Sequence, residues 1–124
     1  MHRMKRAACA AMVCAATTIA GAGAALADYG AIAFSSQTGA HGYSYNAGSR
    51  GQAERVALAN CRNYGRGCRV VIYFRNACGA LAVGAGYGSG YAWAPDRFSA
   101  ERRALQECSV RTGGCQVIRW VCSG

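Results

Sequence analysis

The chain carries the same pattern of cysteines and apolar residues twice. Residues 54–70 recur as residues 101–117, and in each copy two cysteines are separated by six residues. The repeated cysteines are Cys61, Cys68, Cys108 and Cys115. A second pair of similar segments lies at the start of each copy. Tyr-Gly-Ala-Ile-Ala begins at Tyr29, and Cys-Gly-Ala-Leu-Ala begins at Cys78. Apolar and cysteine positions recur while most polar positions differ, so the repeat describes a buried, cross-linked scaffold and says little about function.

The first 27 residues have the layout of a secretory signal. A basic start, residues 2–6, is followed by residues 7–27, which carry no charge and end on Ala-Leu-Ala. That order is typical of a cleavable signal peptide. A membrane anchor is the alternative, but the stretch is rich in Ala and Gly rather than Leu or Ile. We therefore expect cleavage after residue 27, export to the cell envelope, periplasm or medium, and no stable membrane anchor in the mature protein.

The remaining residues, 28–124, are long enough for one domain with a modest core. We expect two half-repeats, about 29–77 and 78–124. This part holds 11 basic residues, all arginine, against 5 acidic ones, which gives a net charge of +6. Arginine presents a planar fork that suits carboxylates and phosphates, so an anionic partner is expected. The codon usage of a GC-rich genome also explains arginine in place of lysine.

Six cysteines in an exported domain of this size predict a disulfide framework. If the repeated cysteines are equivalent, every symmetric arrangement leaves Cys78 to pair with Cys122. For the other four we favour Cys61 with Cys68 and Cys108 with Cys115, although their pairing stays open. Zinc sites need ligands two to four residues apart, and the cysteine gaps here are longer. We therefore expect no metal and no cofactor.

Each half reads as strand, loop, helix and strand. The predicted strands cover residues 29–34, 69–74, 79–83 and 116–122, and capping signals, with Ser99 as the N-cap of the second helix, place the helices at about 51–62 and 99–109. A tight connection at Asn76 would pair the second and third strands antiparallel and join the halves into one sheet. The prediction is an α+β fold with both helices on one face of a mostly antiparallel sheet.

Material for catalysis is thin. Glu54 and Glu101 hold equivalent helix positions and could share acid and base work, but the helix dipole explains first-turn glutamates more simply. His41 stands in a predicted loop without a nucleophile, and six paired cysteines leave no thiolate. The glycine-rich run at 84–90 matches neither nucleotide-binding motif, because it lacks the Gly-Lys-Ser/Thr ending and the dinucleotide spacing. We expect that the protein is not an enzyme.

Material for recognition is richer, since Tyr, Trp and Arg dominate interface hot spots. The candidate partner-binding residues are Tyr43 and Tyr45 in one predicted loop, Tyr87, Tyr91 and Trp93 in the matching loop, and Arg62, Arg66 and Arg69 after the first helix. The rings could form one aromatic patch or fill the core, and the first two arginines could cap the helix.

The leading hypothesis is an exported, monomeric, non-enzymatic binding domain for an anionic or protein partner. The alternative is an inhibitor of a secreted hydrolase that uses residues 84–94 as a plug. Nucleic acid is not expected, because no recognition module is present.

The sequence resembles the family called domain of unknown function 4189. The resemblance lies in the two Gly-Ala-Ile/Leu-Ala segments after Tyr29 and Cys78, in Cys68-x-Val leading to the second segment, in Ala104-Leu-x-x-Cys108, and in the terminal cysteines. It covers residues 28–124 and implies an exported bacterial protein. The family's name assigns no activity, so no catalytic residue is carried over.

Overall fold

The structure, a computed structural model, describes residues 27–124. The predicted signal peptide lies outside the described residues, except for its last position. In chain order the elements are β1 (Tyr29–Phe34), β2 (His41–Ala47), α1 (Arg50–Arg62), β3 (Arg69–Arg75), β4 (Ala77–Val83), β5 (Ser89–Ala94), α2 (Arg97–Arg111) and β6 (Gln116–Ser123). In this part of the chain, neither helix is long and apolar enough to cross a membrane.

The predicted α+β fold with a duplicated unit is confirmed, and each unit contains one strand more than expected. The two halves are β1-β2-α1-β3 and β4-β5-α2-β6, so the segments predicted as loops are the strands β2 and β5. Glycine and serine argue against a helix there, but they fit a strand that a helix packs against closely. Each helix has an N-cap residue whose side-chain oxygen accepts a hydrogen bond from a backbone N–H of the first turn, Ser49 for α1 and Asp96 for α2. The cap of α2 is therefore Asp96 and not Ser99, so this helix begins earlier than predicted.

The prediction of one sheet with both helices on one face is wrong. The strands form two antiparallel sheets, ordered β2-β1-β3 and β5-β4-β6, and β3 does not pair with β4. Asn76, which has a φ of 49°, turns the chain from one sheet into the other. The physical reason lies in the central strands, because both faces of β1 and β4 are apolar and need cover. The sheets pack face to face, and each helix covers the outer face of its own sheet.

Three layers of side chains fill the molecule. The cores beneath the two helices consist almost entirely of alanine and cysteine, such as Ala57 and Cys61 beneath α1. The core between the sheets holds the larger residues Ile32, Phe34, Phe74, Leu81 and Val121, together with Ala77. In its middle the ring of Phe74 lies against two glycines, Gly30 on its own sheet and Gly79 on the facing sheet.

The helices approach their sheets so closely that one position in β2 and one in β5 must be glycine. A Cβ on Gly42 would overlap the backbone of α1 at Ala57 and Cys61. Gly90 meets α2 in the same way at Ala104 and Cys108. Small residues on both partners allow this approach, which removes the helix cores from water without large side chains.

The three disulfides are Cys61–Cys68, Cys78–Cys122 and Cys108–Cys115. The duplication predicts the second, and the structure confirms the favoured pairing of the other four cysteines. The short bridges tie each helix end to the segment before the next strand. The long bridge joins directly paired residues of β4 and β6, so it lies within the second sheet. It therefore does not connect the two halves of the molecule. At the equivalent place in the first sheet, Arg75 pairs with Tyr29, and its guanidinium carbon lies 5.3 Å from the ring centroid.

Removal of the long bridge is expected to destabilise the protein more than removal of a short one. The sequence separations are 44 residues for Cys78–Cys122 and 7 for Cys61–Cys68. Loop-closure entropy then assigns about 4 kcal/mol to the first bridge and about 2.5 kcal/mol to the second. Urea unfolding of the two double-alanine variants measures the difference. Equal losses would show that chain entropy does not govern these bridges.

Gly90→Ala is expected to lower the free energy of unfolding by about 2 kcal/mol or more, because the new methyl group must displace the backbone of α2. Gly113→Ala is the matched control, since no atom lies within 4 Å of a Cβ at that position. Chemical denaturation of both variants tests this helix approach. A Gly90 variant as stable as the Gly113 variant would contradict it.

Candidate binding groove

A groove of about 770 Å³ runs along the outer edge of β2. One wall is the flank of α1, which contributes Gln52, Val56 and Asn60, and Asn63 and Tyr64 follow the helix. The other wall includes Arg119, which comes from β6 in the second sheet. The groove is therefore built from both halves of the molecule, and none of its lining residues is acidic.

Arg119 is the most unusual residue of the groove. Its guanidinium carbon lies 4.4 Å from the centroid of the Tyr43 ring, and its Nη2 lies 3.5 Å from Nε2 of His41. Its Nε is buried and has no hydrogen-bond partner within residues 27–124. The ion pairs in this part of the chain use other arginines, so no carboxylate neutralises Arg119. Among the described residues, the guanidinium contacts an aromatic face and, over a long distance, an imidazole.

His41 opens strand β2 and lies beside this guanidinium. Burial lowers the pKa of His41 below its ordinary value of 6.5, and the positive charge of Arg119 lowers it further. A neutral imidazole can accept a hydrogen bond from the arginine, whereas a protonated one would repel it. The site therefore holds one fixed cation and one neutral imidazole at neutral pH.

The far end of the groove is fixed by a bulge in β2. The register between β1 and β2 shifts next to Asn46, whose φ is 52°. The backbone N–H of Asn46 donates to Oγ of Ser123 over 2.8 Å, and its side-chain oxygen accepts from the N–H of Gly124 over 3.0 Å. These bonds tie the end of β2 to the end of β6. They hold together the two strands that carry the groove.

The structure brings only part of the predicted aromatic set to the groove. Tyr43 and Tyr45 stack there, with ring centroids 6.4 Å apart. Tyr91 packs against the core between the sheets, Tyr87 lies against Gly39, and Trp93 is exposed on β5. No ring contact between the two sets is present among the described residues, so the single aromatic patch is not formed.

The predicted arginine cluster lies elsewhere. Arg62, Arg66 and Arg69 are exposed and are not among the residues that line the groove. Segment 84–94, the predicted plug, consists of a single 3-10 turn at Ala85–Tyr87 followed by strand β5. Because the ring of Tyr87 packs against Gly39 of the other half, that turn is held against the molecule.

The two candidate carboxylates have structural partners. Glu54 pairs with Arg50 over 3.0 Å, and Arg50 lies 3.7 Å from the ring centroid of Tyr73. The second half repeats this arrangement with Glu101, Arg97 and Trp120, at 3.2 Å and 3.8 Å. Each glutamate thus holds an arginine over an aromatic ring of its own sheet. The duplication preserves the arrangement, which marks it as part of the scaffold.

Sequence reasoning missed Arg119 and Asn60. The repeat contains a signal for the first, because a shift of 47 residues places Arg119 on Ile72, which packs against the core between the sheets. A charged residue in one copy of an apolar scaffold position marks a site where the halves differ. Asn60 has no comparable signal, because a polar residue on a helix flank is ordinary.

The free energy of unfolding is expected to fall as the pH falls from about 6.5 toward the lowered pKa of His41. In that window the unfolded chain binds a proton that the folded protein excludes. No other residue in the described part ordinarily titrates there. His41→Gln should remove this pH dependence, as thermal unfolding between pH 5 and 7 can show. An unchanged slope in the variant would contradict the lowered pKa.

Comparisons with known proteins identify a family and one solved relative. The chain resembles the protein in "NMR structure of Rv1813c from Mycobacterium tuberculosis", with a TM-score of 0.58 and 28% sequence identity over 77% of this chain and 74% of that one. No curated protein matches the chain significantly. The family model described as "Domain of unknown function (DUF4189)" matches residues 29–122. On that match, the chain belongs to the DUF4189 family.

Proposed function

We propose that this protein is an exported, monomeric, non-enzymatic binding domain whose groove takes an anionic partner. The observation that carries the proposal is the half-buried guanidinium of Arg119, which has an unpaired Nε and no carboxylate partner. A buried charge without a counter-ion is costly. A carboxylate or phosphate of a ligand in the groove would supply the missing negative charge and charge-assisted hydrogen bonds to a terminal nitrogen of the guanidinium.

The lining of the groove supports an anion rather than a cation. The lining has no acidic residue and offers neutral donors from side chains such as Gln52, Asn60 and Asn63. The net charge of +6 over residues 28–124 adds a long-range attraction for negative partners. Tyr43 and Tyr45 add flat apolar surface beside the charge, which suits a ligand with both anionic and apolar parts.

Three features favour binding over catalysis. The described cysteines are all in disulfides, which removes thiolate nucleophiles. Glu54 and Glu101 are each paired with an arginine on their own helix. His41 faces a guanidinium and not a carboxylate that would orient and activate it as a base. The groove therefore supplies recognition chemistry but no pair of an acid and a base.

The proposed export rests on the disulfides and on the N-terminal layout. Three disulfides in a small domain are typical of proteins that fold in an oxidising compartment. The uncharged segment at 7–27 behind a basic start agrees with that compartment. The partner is therefore expected at the cell envelope or beyond it.

An NMR titration tests the anion site with acetate, inorganic phosphate and polyglutamate as probes. Amide shifts are expected to concentrate at His41, Tyr43 and Arg119. Arg119→Ile, which installs the residue of the other half, should weaken polyglutamate binding by about tenfold to a hundredfold, because it removes charge-assisted hydrogen bonds. Binding should also weaken steeply between low and physiological salt.

Arg102→Ala is the matched control, since it removes the same charge from an exposed position on α2. It should bind polyglutamate nearly as well as the unchanged protein. Equal losses in the two variants would show that only net charge matters. Shifts spread over the surface, or none at all, would overturn the groove as the site.

A further inference from the structure

The edge strands β2 and β5 are equivalent in the fold, but they differ in how their outer edges are covered. In β5 the carbonyl oxygen of Ser89 accepts from Arg111 over 2.8 Å, and that of Trp93 accepts from Arg103 over 3.3 Å. Both arginines project from α2. They occupy backbone acceptors that another strand would otherwise use, which is a common way to protect a sheet edge.

The edge of β2 lacks this protection. The repeat places Val56 and Tyr64 where α2 has Arg103 and Arg111. The side chain of Val56 cannot donate a hydrogen bond to the strand, and the Tyr64 hydroxyl makes no hydrogen bond within residues 27–124. Asn60 alone reaches the edge from α1, where its amide donates to the Tyr43 carbonyl over 3.0 Å. In a strand, the N–H and C=O groups of residues two apart point to the same edge. Those of His41 therefore face the groove, as those of Tyr43 do.

We propose that the groove takes an extended, acidic segment of another polypeptide, which adds to β2 as a fourth strand of the first sheet. The inference rests on the proposed anion site, and it names the partner class. The backbone of the segment would pair with the outer edge of β2, and one of its carboxylates would reach Arg119. The carbonyl of Tyr43 has two lone pairs and can keep its bond to Asn60.

The geometry also sets the side-chain pattern of the partner. Residues that lie opposite each other on neighbouring strands share a face of the sheet. A residue opposite Tyr43 therefore points toward the face where Arg119 lies, and acidic residues belong there. Its neighbours point the other way, toward the flank of α1, where Val56 is 42% exposed and offers apolar contact. The expected segment alternates acidic and apolar residues.

Charge favours a different protein over a second copy of this one. Pairing of two β2 edges would bring together two Arg119 side chains with no acid in either groove. Each copy would also carry a net charge of +6 over residues 28–124. Like charges across an interface disfavour the contact. An acidic segment meets the same edge with the complementary sign.

The probe is an acetylated and amidated peptide of about eight residues in which valine and glutamate alternate, since β2 has 7 residues. Its control has the same side chains but carries N-methyl groups on alternate residues, which remove the donors of one edge. Calorimetry should show that methylation weakens binding by about tenfold, because two or more backbone hydrogen bonds are lost. Amide hydrogens at the β2 edge should become protected from exchange in the complex.

A protein variant separates strand addition from simple charge attraction. Val56→Arg installs the arginine that covers β5, so it should cover the edge of β2 and weaken peptide binding by about tenfold although it adds a positive charge. If charge attraction alone governed binding, Val56→Arg would bind the acidic peptide more tightly. Val110→Arg, at a position on α2 that is 86% exposed, adds the same charge away from the groove and should leave the affinity nearly unchanged.

The outcomes distinguish this inference from the proposed function. If the plain and methylated peptides bind equally and Arg119→Ile weakens both, the anion site stands and strand addition is wrong. Tighter binding by Val56→Arg would likewise overturn strand addition and leave the anion site standing. If neither peptide nor polyglutamate binds, both proposals fail. Sedimentation that shows dimers, which the peptide does not dissociate, would assign the edge to a second copy and overturn the proposed partner.

Discussion

The contact between the two sheets holds the molecule together, because no disulfide among residues 27–124 crosses from one half to the other. The larger apolar side chains meet in that contact, with Ile32 and Leu81 fully buried. The helix layers use alanine and could not supply the same apolar area. The groove depends on this contact too, since β2 comes from one half and Arg119 from the other. Loss of the packing between the sheets would therefore dismantle the site, even with every covalent bridge intact.

Much of the scaffold could be predicted, because duplication adds information that a single pattern lacks. The pairing of Cys78 with Cys122 followed from equivalence under the shift, and apolar spacing located the helices, although the cap predicted for α2 was wrong. The division into two sheets could not be predicted, because a short strand does not specify its neighbour. β2 and β5 were also missed, because their glycines are typical of loops. The reason for these glycines is the close approach of the helices, which the sequence does not show. Gly42 and Gly90 are strand residues because of tertiary packing and not because of local preference.

The candidate site was predictable only in part. Tyr43 and Tyr45 were identified by residue type, and they do meet in the groove. Tyrosine and arginine are also the residue types at Tyr91, Arg62, Arg66 and Arg69, but the fold places these four residues outside the groove. Arg119 was missed because it lies between apolar neighbours in the chain, although the comparison of the two repeats distinguishes its position. Where a chain contains its own structural copy, differences between the halves indicate function better than composition does.

The ring of Phe74 shows that the halves of this protein could not have stayed identical. It touches Gly30 and Gly79, which are equivalent under the repeat, so it lies where the two halves meet symmetrically. The equivalent of Phe74 is Val121, and a second ring there would need the same space. Two copies with phenylalanine would collide, and two copies with valine would leave a void. The two halves are thus not interchangeable, and an open strand edge on one half is compatible with a covered edge on the other.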